Sequence, residues 1–84
     1  MTDVSDMDLV QKYAAGNSEA AFAELVRRHI NLVYSVALRF AASPQDAQDI
    51  TQAVFIILAQ KATGLRPRTI LIGWLYETTR FTAR

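Results

Sequence analysis

Apolar side chains recur every three or four positions along most of the chain, which is the period of an amphipathic helix. The first such stretch predicts a helix from Asp6 to Ala15, with Ser5 as its N-cap and Asp8 as its capping-box partner. Gly16 is expected to end this helix in the left-handed conformation. Its apolar side consists of Leu9, Val10 and Tyr13.

A longer periodic stretch predicts a second helix from about Glu19 to Ala42, begun by Asn17 or Ser18. The lone histidine, His29, is expected on the polar surface of this helix, because no second ligand lies four residues away to form a metal site. The predicted core stripe consists of Phe22, Leu25, Val26, Ile30, Val33, Ala37, Leu38 and Ala41.

Two further helices follow. Ser43 as cap and Pro44 at the first helical position begin a third helix that runs to about Lys61. Residues 63–69 break the pattern and predict a loop, and Thr69 is the expected cap of a fourth helix that reaches the chain end. The β-branched cluster at 70–72 could form a short strand, but a strand without a partner is disfavoured. The core stripe of the third helix consists of Ala47, Ile50, Val54, Ile57 and Leu58, and the fourth helix runs through Leu71, Trp74, Leu75, Thr78 and Phe81.

The fold class is therefore all-α, a compact bundle of about four helices in one domain of 84 residues. The hydrophobic content of 51% is far above that of a disordered chain. The absence of cysteine excludes a disulfide scaffold, a thiolate zinc site and a cysteine nucleophile. No apolar run approaches the roughly 20 residues that span a bilayer, and no signal peptide is seen, so we expect a cytoplasmic protein without membrane contact. No catalytic residue set, metal site or cofactor motif can be assembled, so we expect no enzyme activity.

The charge is distributed unevenly, although the formal net charge is only +1. Residues 1–60 carry four basic and seven acidic side chains, a net of −3, whereas residues 61–84 carry five basic and one acidic side chain, a net of +4. A basic segment of this kind either solvates a surface or binds a polyanion, and such a split can mark two different partners.

Four blocks of residues, in order and at consistent separations, resemble region 2 of bacterial RNA polymerase sigma factors of the extracytoplasmic-function (ECF) class. The resemblance runs from about Asp8 to Arg84. The blocks are Ala21-Phe22-x-x-Leu25-Val26-x-Arg28-His29, Val33-Tyr34-x-x-Ala37-x-Arg39, Asp46-Ala47-x-Asp49-Ile50-x-Gln52-x-x-Phe55 and Trp74-Leu75-Tyr76-x-x-x-Arg80.

The resemblance implies a helical domain with two binding surfaces. One surface docks on the clamp helices of the polymerase β′ subunit, and the other binds the promoter −10 element, chiefly its non-template strand. An anti-sigma factor is a further partner of such domains. We expect the chain to be the N-terminal part of a longer sigma factor, with a helix-turn-helix domain, region 4, beyond residue 84.

The polymerase-binding residues implied by the resemblance lie on the third helix. Asp46, Asp49 and Gln52 share one side of it and suit charge-assisted hydrogen bonds to a basic partner. Ile56 and Phe55 would add apolar anchors. Capping of the helix by Asp46 and simple solvation of Asp49 remain alternatives.

The DNA-binding residues implied by the resemblance lie in the basic segment. They are Lys61, Arg66, Arg68, Tyr76, Arg80 and Arg84. In the family, the loop before the fourth helix, here about residues 62–69, holds a flipped base. Tyr76 faces either the core or the DNA, whereas Trp74 is in step with the core. Glu77 and Phe81 depart from the family pattern, because a basic or neutral residue and an asparagine are common at those positions.

Two other functions remain open. The chain could be a small helical protein–protein module that never binds nucleic acid, in which case the basic side chains would be dispersed over the surface. A complete helix-turn-helix repressor is the third possibility, but its turn should have about three to four residues, and the predicted loop at 63–69 is longer.

Overall fold

The computed structural model describes residues 4–83, which form four α-helices and one short 3₁₀ turn. No strand occurs among these residues, and Leu71 and Ile72 begin the last helix, so the all-α prediction is confirmed. No helix within 4–83 combines the length and the apolar character needed to cross a membrane. The elements are α1 (Asp6–Gly16), α2 (Glu19–Phe40), α3 (Pro44–Lys61), the 3₁₀ turn (Ala62–Gly64) and α4 (Leu71–Thr82).

Serine side chains begin the first three helices. The hydroxyls of Ser5, Ser18 and Ser43 each accept a hydrogen bond from the backbone N–H three residues later, at 3.1–3.2 Å. The Asp8 carboxylate accepts in return from the Ser5 N–H, which completes the predicted capping box. These local signals placed the start of each of the three helices correctly, and α3 has both predicted ends.

Three predicted helix boundaries are wrong, and one of them is the end of α2, which lies at Phe40 instead of about Ala42. The left-handed residue after α1 is Asn17, with φ 52° and ψ 41°, and Gly16 is the last helical residue. Asparagine tolerates this conformation, and the Asn17 N–H donates to the Tyr13 carbonyl at 2.7 Å. Thr69 does not cap α4, because Ile70 is the N-cap and contributes no side-chain hydrogen bond.

The core is built around α2, which contacts each of the other three helices. Leu25 and Val33 of α2 are almost completely buried against Val54 and Leu58 of α3 and Leu75 of α4. Trp74 is half-buried against this cluster, as predicted. The remaining buried members of the cluster are Leu9, Val10, Ala21, Phe55, Ala62 and Leu71.

The expected surface position of His29 is wrong. Only 7% of this residue is exposed, because α1 packs over its side of α2. Its Nε2 atom lies 2.9 Å from the Asp6 Oδ1 atom, without the alignment of a regular hydrogen bond.

Ile30 and Leu38, which were expected in the core, are exposed instead. Periodicity along α2 therefore overestimates the width of its buried side.

A network of charged side chains joins α1 to α2. Glu24 accepts two hydrogen bonds from Arg27, at 2.6 and 2.8 Å, and one from Arg28 at 2.9 Å. Arg28 also donates to Asp6 at 3.2 Å. The hydrogen bonds from Arg27 and then Arg28 lower the pKa of Glu24 from its usual value of 4.5 to about 2.

This lowered pKa predicts a dependence of stability on pH. A carboxyl group with a depressed folded-state pKa stabilises the fold above its unfolded pKa, near 4.5, and loses that contribution as the pH falls towards 2. We expect Glu24→Gln to melt at a lower temperature than the wild type at pH 6. The difference should shrink steadily between pH 4.5 and pH 2, as followed by circular dichroism. A difference that stays constant over this range would contradict the role of the Glu24 charge.

Candidate functional site

The exposed side of α3 carries four of the five residues that were predicted to bind polymerase. Asp46, Asp49, Gln52 and Ile56 are all exposed and lie within one side of the helix; we call this the α3 face. Because the Ser43 hydroxyl supplies the N-cap hydrogen bond, the Asp46 carboxylate is not needed for that bond. Asp49 accepts a hydrogen bond from the Gln45 side chain at 3.2 Å. The face therefore presents two carboxylates, an amide and an apolar side chain, which suits a partner with basic and apolar groups.

Phe55, the fifth predicted residue, lies apart from the α3 face. Only 7% of it is exposed, and it belongs to the hydrophobic core. It also forms part of the wall of a groove between α2 and α3. Phe55 therefore packs beneath the α3 face, and the exposed apolar residue of that face is Ile56, which is 53% exposed.

The groove between α2 and α3 has a volume of about 670 Å³ and adjoins the α3 face. Gln52 and Ile56 belong to both, so the two surfaces are continuous. The contribution of α2 to this groove was missed from the sequence, where Ile30 was placed in the core. The unusual width of the α2 apolar stripe was the signal that could have indicated it. The groove is lined by Phe22, Val26, Ile30, Asn31, Tyr34, Gln48, Thr51, Gln52, Phe55, Ile56 and Ala59.

The described basic residues predicted to bind DNA are all exposed and lie on two parts of the chain. Lys61 ends α3, and Arg66 and Arg68 follow in the connection to α4. Arg80 lies near the end of α4, while Arg84 lies outside the described residues. Tyr76 is half-buried, so only part of its ring is accessible.

Glu77, one of the two departures from the family pattern, forms an ion pair with Arg80. The Glu77 Oε1 and Arg80 Nη2 atoms are 3.6 Å apart, and both side chains are exposed. An exposed pair of this length adds little to stability. It does place a negative charge beside one of the predicted phosphate-binding groups.

A second cavity, of about 330 Å³, lies between the start of α1 and the segment that leads into α4; we call it the loop pocket. Its walls combine apolar side chains with one guanidinium, from Arg68, and one carboxylate, from Asp6. Ile70, 77% exposed, and Ile72, 52% exposed, also line it. Apolar walls with a few polar groups suit a planar ring that carries hydrogen-bonding edges. The remaining residues of the lining are Ser5, Met7, Pro67, Thr69 and Leu71.

The two surfaces differ in charge and chemistry. The α3 face and its groove are acidic and apolar, whereas the segment around the loop pocket is basic. Among residues 4–83, no group of three His, Asp or Glu side chains is arranged to hold a metal ion. The chain therefore presents two surfaces of opposite charge character, each suited to a different partner.

Comparison with known proteins matches residues 25–84 to the family model of sigma-70 region 2. The ECF RNA polymerase sigma factor SigE of Mycolicibacterium smegmatis is 37% identical over 68 residues, which are 79% of this chain and 26% of that protein. The RNA polymerase sigma-H factor of Pseudomonas aeruginosa is 29% identical over 84 residues, which are 100% of this chain and 43% of that protein. The chain thus spans less than half the length of either relative.

The fold is also similar to a solved structure. An engineered region 2 of sigmaE, determined by NMR in complex with GTAAAA, superposes with a TM-score of 0.87 and is 28% identical. The superposition covers 99% of this chain and 86% of the other. The similarity therefore extends over all four helices and the connections between them.

Proposed function

Because this chain belongs to the sigma-70 region 2 family, as a region 2 of the ECF type, we propose that it acts in transcription initiation by joining RNA polymerase to promoter DNA. The observation that carries the proposal is the similarity over 99% of the chain to a region 2 that was solved in complex with GTAAAA. On this proposal the domain is a binding module rather than an enzyme, and it works in the cytoplasm.

The proposed polymerase-docking surface is the α3 face. Its carboxylates, Asp46 and Asp49, would meet basic side chains of the β′ clamp helices, and Gln52 would add a hydrogen bond. Ile56 would enter an apolar site of the partner, since a central apolar anchor contributes most of the binding energy in many interfaces. The adjoining groove offers further apolar contact area. An anti-sigma factor that covered this face would compete with the polymerase.

The proposed DNA-binding surface is the loop pocket together with basic residues of the segment 61–84. An unstacked base of the −10 non-template strand would enter the pocket, while Arg68 and its neighbours bind phosphates. Capture of an extruded base favours strand separation, because the binding free energy of that base offsets part of the free-energy cost of unpairing it. The proposed contacts to the backbone are Lys61, Arg66, Arg68, Arg80 and Arg84, with Tyr76 beside the bases.

The experiment that tests this proposal is a titration of labelled single-stranded GTAAAA at several salt concentrations, followed by fluorescence anisotropy. For single strands, the slope of log affinity against log salt is about −0.7 for each neutralised phosphate. We expect the double variant Arg66→Gln, Arg68→Gln to have a slope smaller by about 1.4. Arg27→Gln, which removes a charge that pairs with Glu24 on α2, should leave the slope unchanged. Salt-independent binding would contradict phosphate contacts, and binding to clamp helices without any binding to DNA would favour the protein–protein module.

The ion pair of Glu77 gives a further prediction. Glu77→Gln is expected to bind the same oligonucleotide about two- to fivefold more tightly, because it removes a charge that repels phosphate and releases Arg80. Glu19→Gln makes the same change at the exposed start of α2 and should have no effect beyond the altered net charge. Equal gains in both variants would show that net charge, rather than the pair with Arg80, is responsible.

A further inference from the structure

The wall of the loop pocket formed by α1 carries a carboxylate. Asp6 and Arg68 are the two charged residues of the pocket lining, and they come from opposite ends of the chain. Arg68 can bind any phosphate, since a guanidinium does not distinguish the base attached to it. Discrimination between bases must therefore come from another residue of the pocket lining.

Asp6 is held in position from α2. Its Oδ1 atom lies 3.2 Å from the Arg28 Nη1 atom and 2.9 Å from the Nε2 atom of the buried His29. Both contacts are to the same oxygen, and within residues 4–83 no hydrogen bond reaches Oδ2. One carboxylate oxygen is thus fixed to the protein while the other remains available as an acceptor.

The surroundings keep the carboxylate suited to this role. The positive charge of Arg28 reduces the repulsion between Asp6 and a nearby nucleic-acid backbone, while Arg28 is itself fixed by Glu24 at 2.9 Å. Burial of His29 limits the movement of its ring, with only 8% of the side chain exposed. The polar network between α1 and α2 therefore orients a group that lines the pocket, in addition to joining two helices.

A carboxylate oxygen accepts hydrogen bonds and donates none, so it distinguishes bases by their exocyclic groups. Cytosine and adenine carry an amino group that can donate to it, as in carboxylate contacts to cytosine. Thymine presents a carbonyl oxygen at the corresponding position, and two acceptors facing each other repel. An ionised aspartate in this pocket should therefore favour an amino-bearing base, such as adenine or cytosine, over thymine.

We propose that Asp6 is a specificity-determining residue of the loop pocket, which selects a base with an exocyclic amino group, and that His29 and Arg28 are positioning residues for it. This inference rests on the proposed binding of single-stranded DNA. It assigns base selection in part to α1, on which Asp6 lies 62 residues before Arg68 in sequence.

The test compares hexamers that differ by one base. Labelled GTAAAA and its derivatives, with each adenine in turn replaced by cytosine or thymine, are titrated with the 84-residue chain. We expect one position at which adenine or cytosine binds about fivefold or more tightly than thymine, which corresponds to one base contact. In Asp6→Asn this ratio should fall to about twofold or less, because an amide offers both a donor and an acceptor. Asp8→Asn removes the same charge from the same first turn of α1, outside the loop pocket, and should keep the full ratio.

The positioning residues, His29 and Arg28, are tested by the same ratio of affinities, that for the adenine or cytosine hexamer over that for the thymine hexamer. A purely structural role would change the affinity for all hexamers alike and leave this ratio unchanged. His29→Phe fills the buried space without a nitrogen and should lose most of the ratio, whereas His29→Gln keeps a polar side chain beside Asp6 and should retain more of it. If melting curves show that Asp6→Asn is unfolded, the two His29 variants carry the test. A full ratio in the folded Asp6→Asn or His29→Phe protein, or no amino-base preference in the wild type, would overturn the inference alone. Failure to bind any hexamer at low salt would overturn the proposed function as well.

Discussion

Ile56→Asp is expected to weaken binding to the β′ clamp helices at least tenfold, with a melting temperature close to that of the wild type. Ile56 is 53% exposed, so the folded domain tolerates a polar group there. In the proposed complex the same position becomes buried, and burial of an unpaired carboxylate is strongly unfavourable. Truncation of a central anchor alone commonly costs about 2 kcal/mol or more of binding energy. Calorimetric titration of the chain with a β′ clamp-helix fragment measures the effect.

The matched control for this variant is Ile72→Asp. Ile72 is 52% exposed, and it lines the loop pocket instead of the α3 face. It should bind clamp helices normally and lose affinity for single-stranded DNA. Asp49→Ala and Gln52→Ala should weaken docking by smaller factors, and if both leave the affinity unchanged, the proposed docking face is wrong. A loss of clamp binding in Ile72→Asp equal to that in Ile56→Asp would show a general charge effect.

Leu75→Ala is expected to lower the free energy of unfolding by about 2–5 kcal/mol. Leu75 is completely buried between α4 and the rest of the core, so its truncation leaves a cavity that neighbouring side chains cannot fill without shifting. Domains of this size bury a smaller fraction of their surface than larger ones, and total stabilities begin at about 5 kcal/mol. The variant should therefore be partly unfolded at physiological temperature. Urea denaturation followed by circular dichroism measures the loss.

Ile70→Ala removes a side chain that is 77% exposed and serves as the stability control. It should change the free energy of unfolding by no more than about 0.5 kcal/mol. A comparably small effect of Leu75→Ala would mean that α4 contributes little to the core.

The start of each of the first three helices could be predicted because the signals that set it are local. Ser43 and Pro44 lie beside the helix that they begin, and the Ser5 hydroxyl reaches only three residues along the chain. Such contacts are the same in any fold that contains the helix. The start of α4 was placed one residue too early because it lacks a side-chain cap, so no local signal marks it.

The environments of His29 and Phe55 could not be read from the sequence, because they depend on packing between helices. His29 is buried by α1, whose contact with α2 leaves no trace in the spacing of residues around position 29. Phe55 lies between the core and the groove, so helical periodicity alone did not assign it to either. Tertiary packing decides such borderline positions.

The two surfaces of the candidate site could also be predicted from the sequence to different degrees. The α3 face follows from spacings of three and four on one helix, and its exposed residues lie where the pattern predicted them. The loop pocket draws on residues from both ends of the chain, and the part of Asp6 in it is visible only once α1 and the segment before α4 are brought together. For each surface, the residues on one element, α3 or the segment before α4, could be predicted from the sequence, whereas the contribution of α2 or α1 could not.

Helix α3 also acts as a rigid spacer. The α3 face begins in its first turns, while its last residue, Lys61, leads through the 3₁₀ turn into the segment that walls the loop pocket. The twelve residue-to-residue steps from Asp49 to Lys61 correspond to about 18 Å of helix axis. An α-helix is stiff over this length, and Val54 and Leu58 anchor it to the core at mid-length. In the proposed complex, a polymerase bound at one end of α3 would therefore keep a captured base at a fixed distance and angle from itself, and the length of this helix would set that distance.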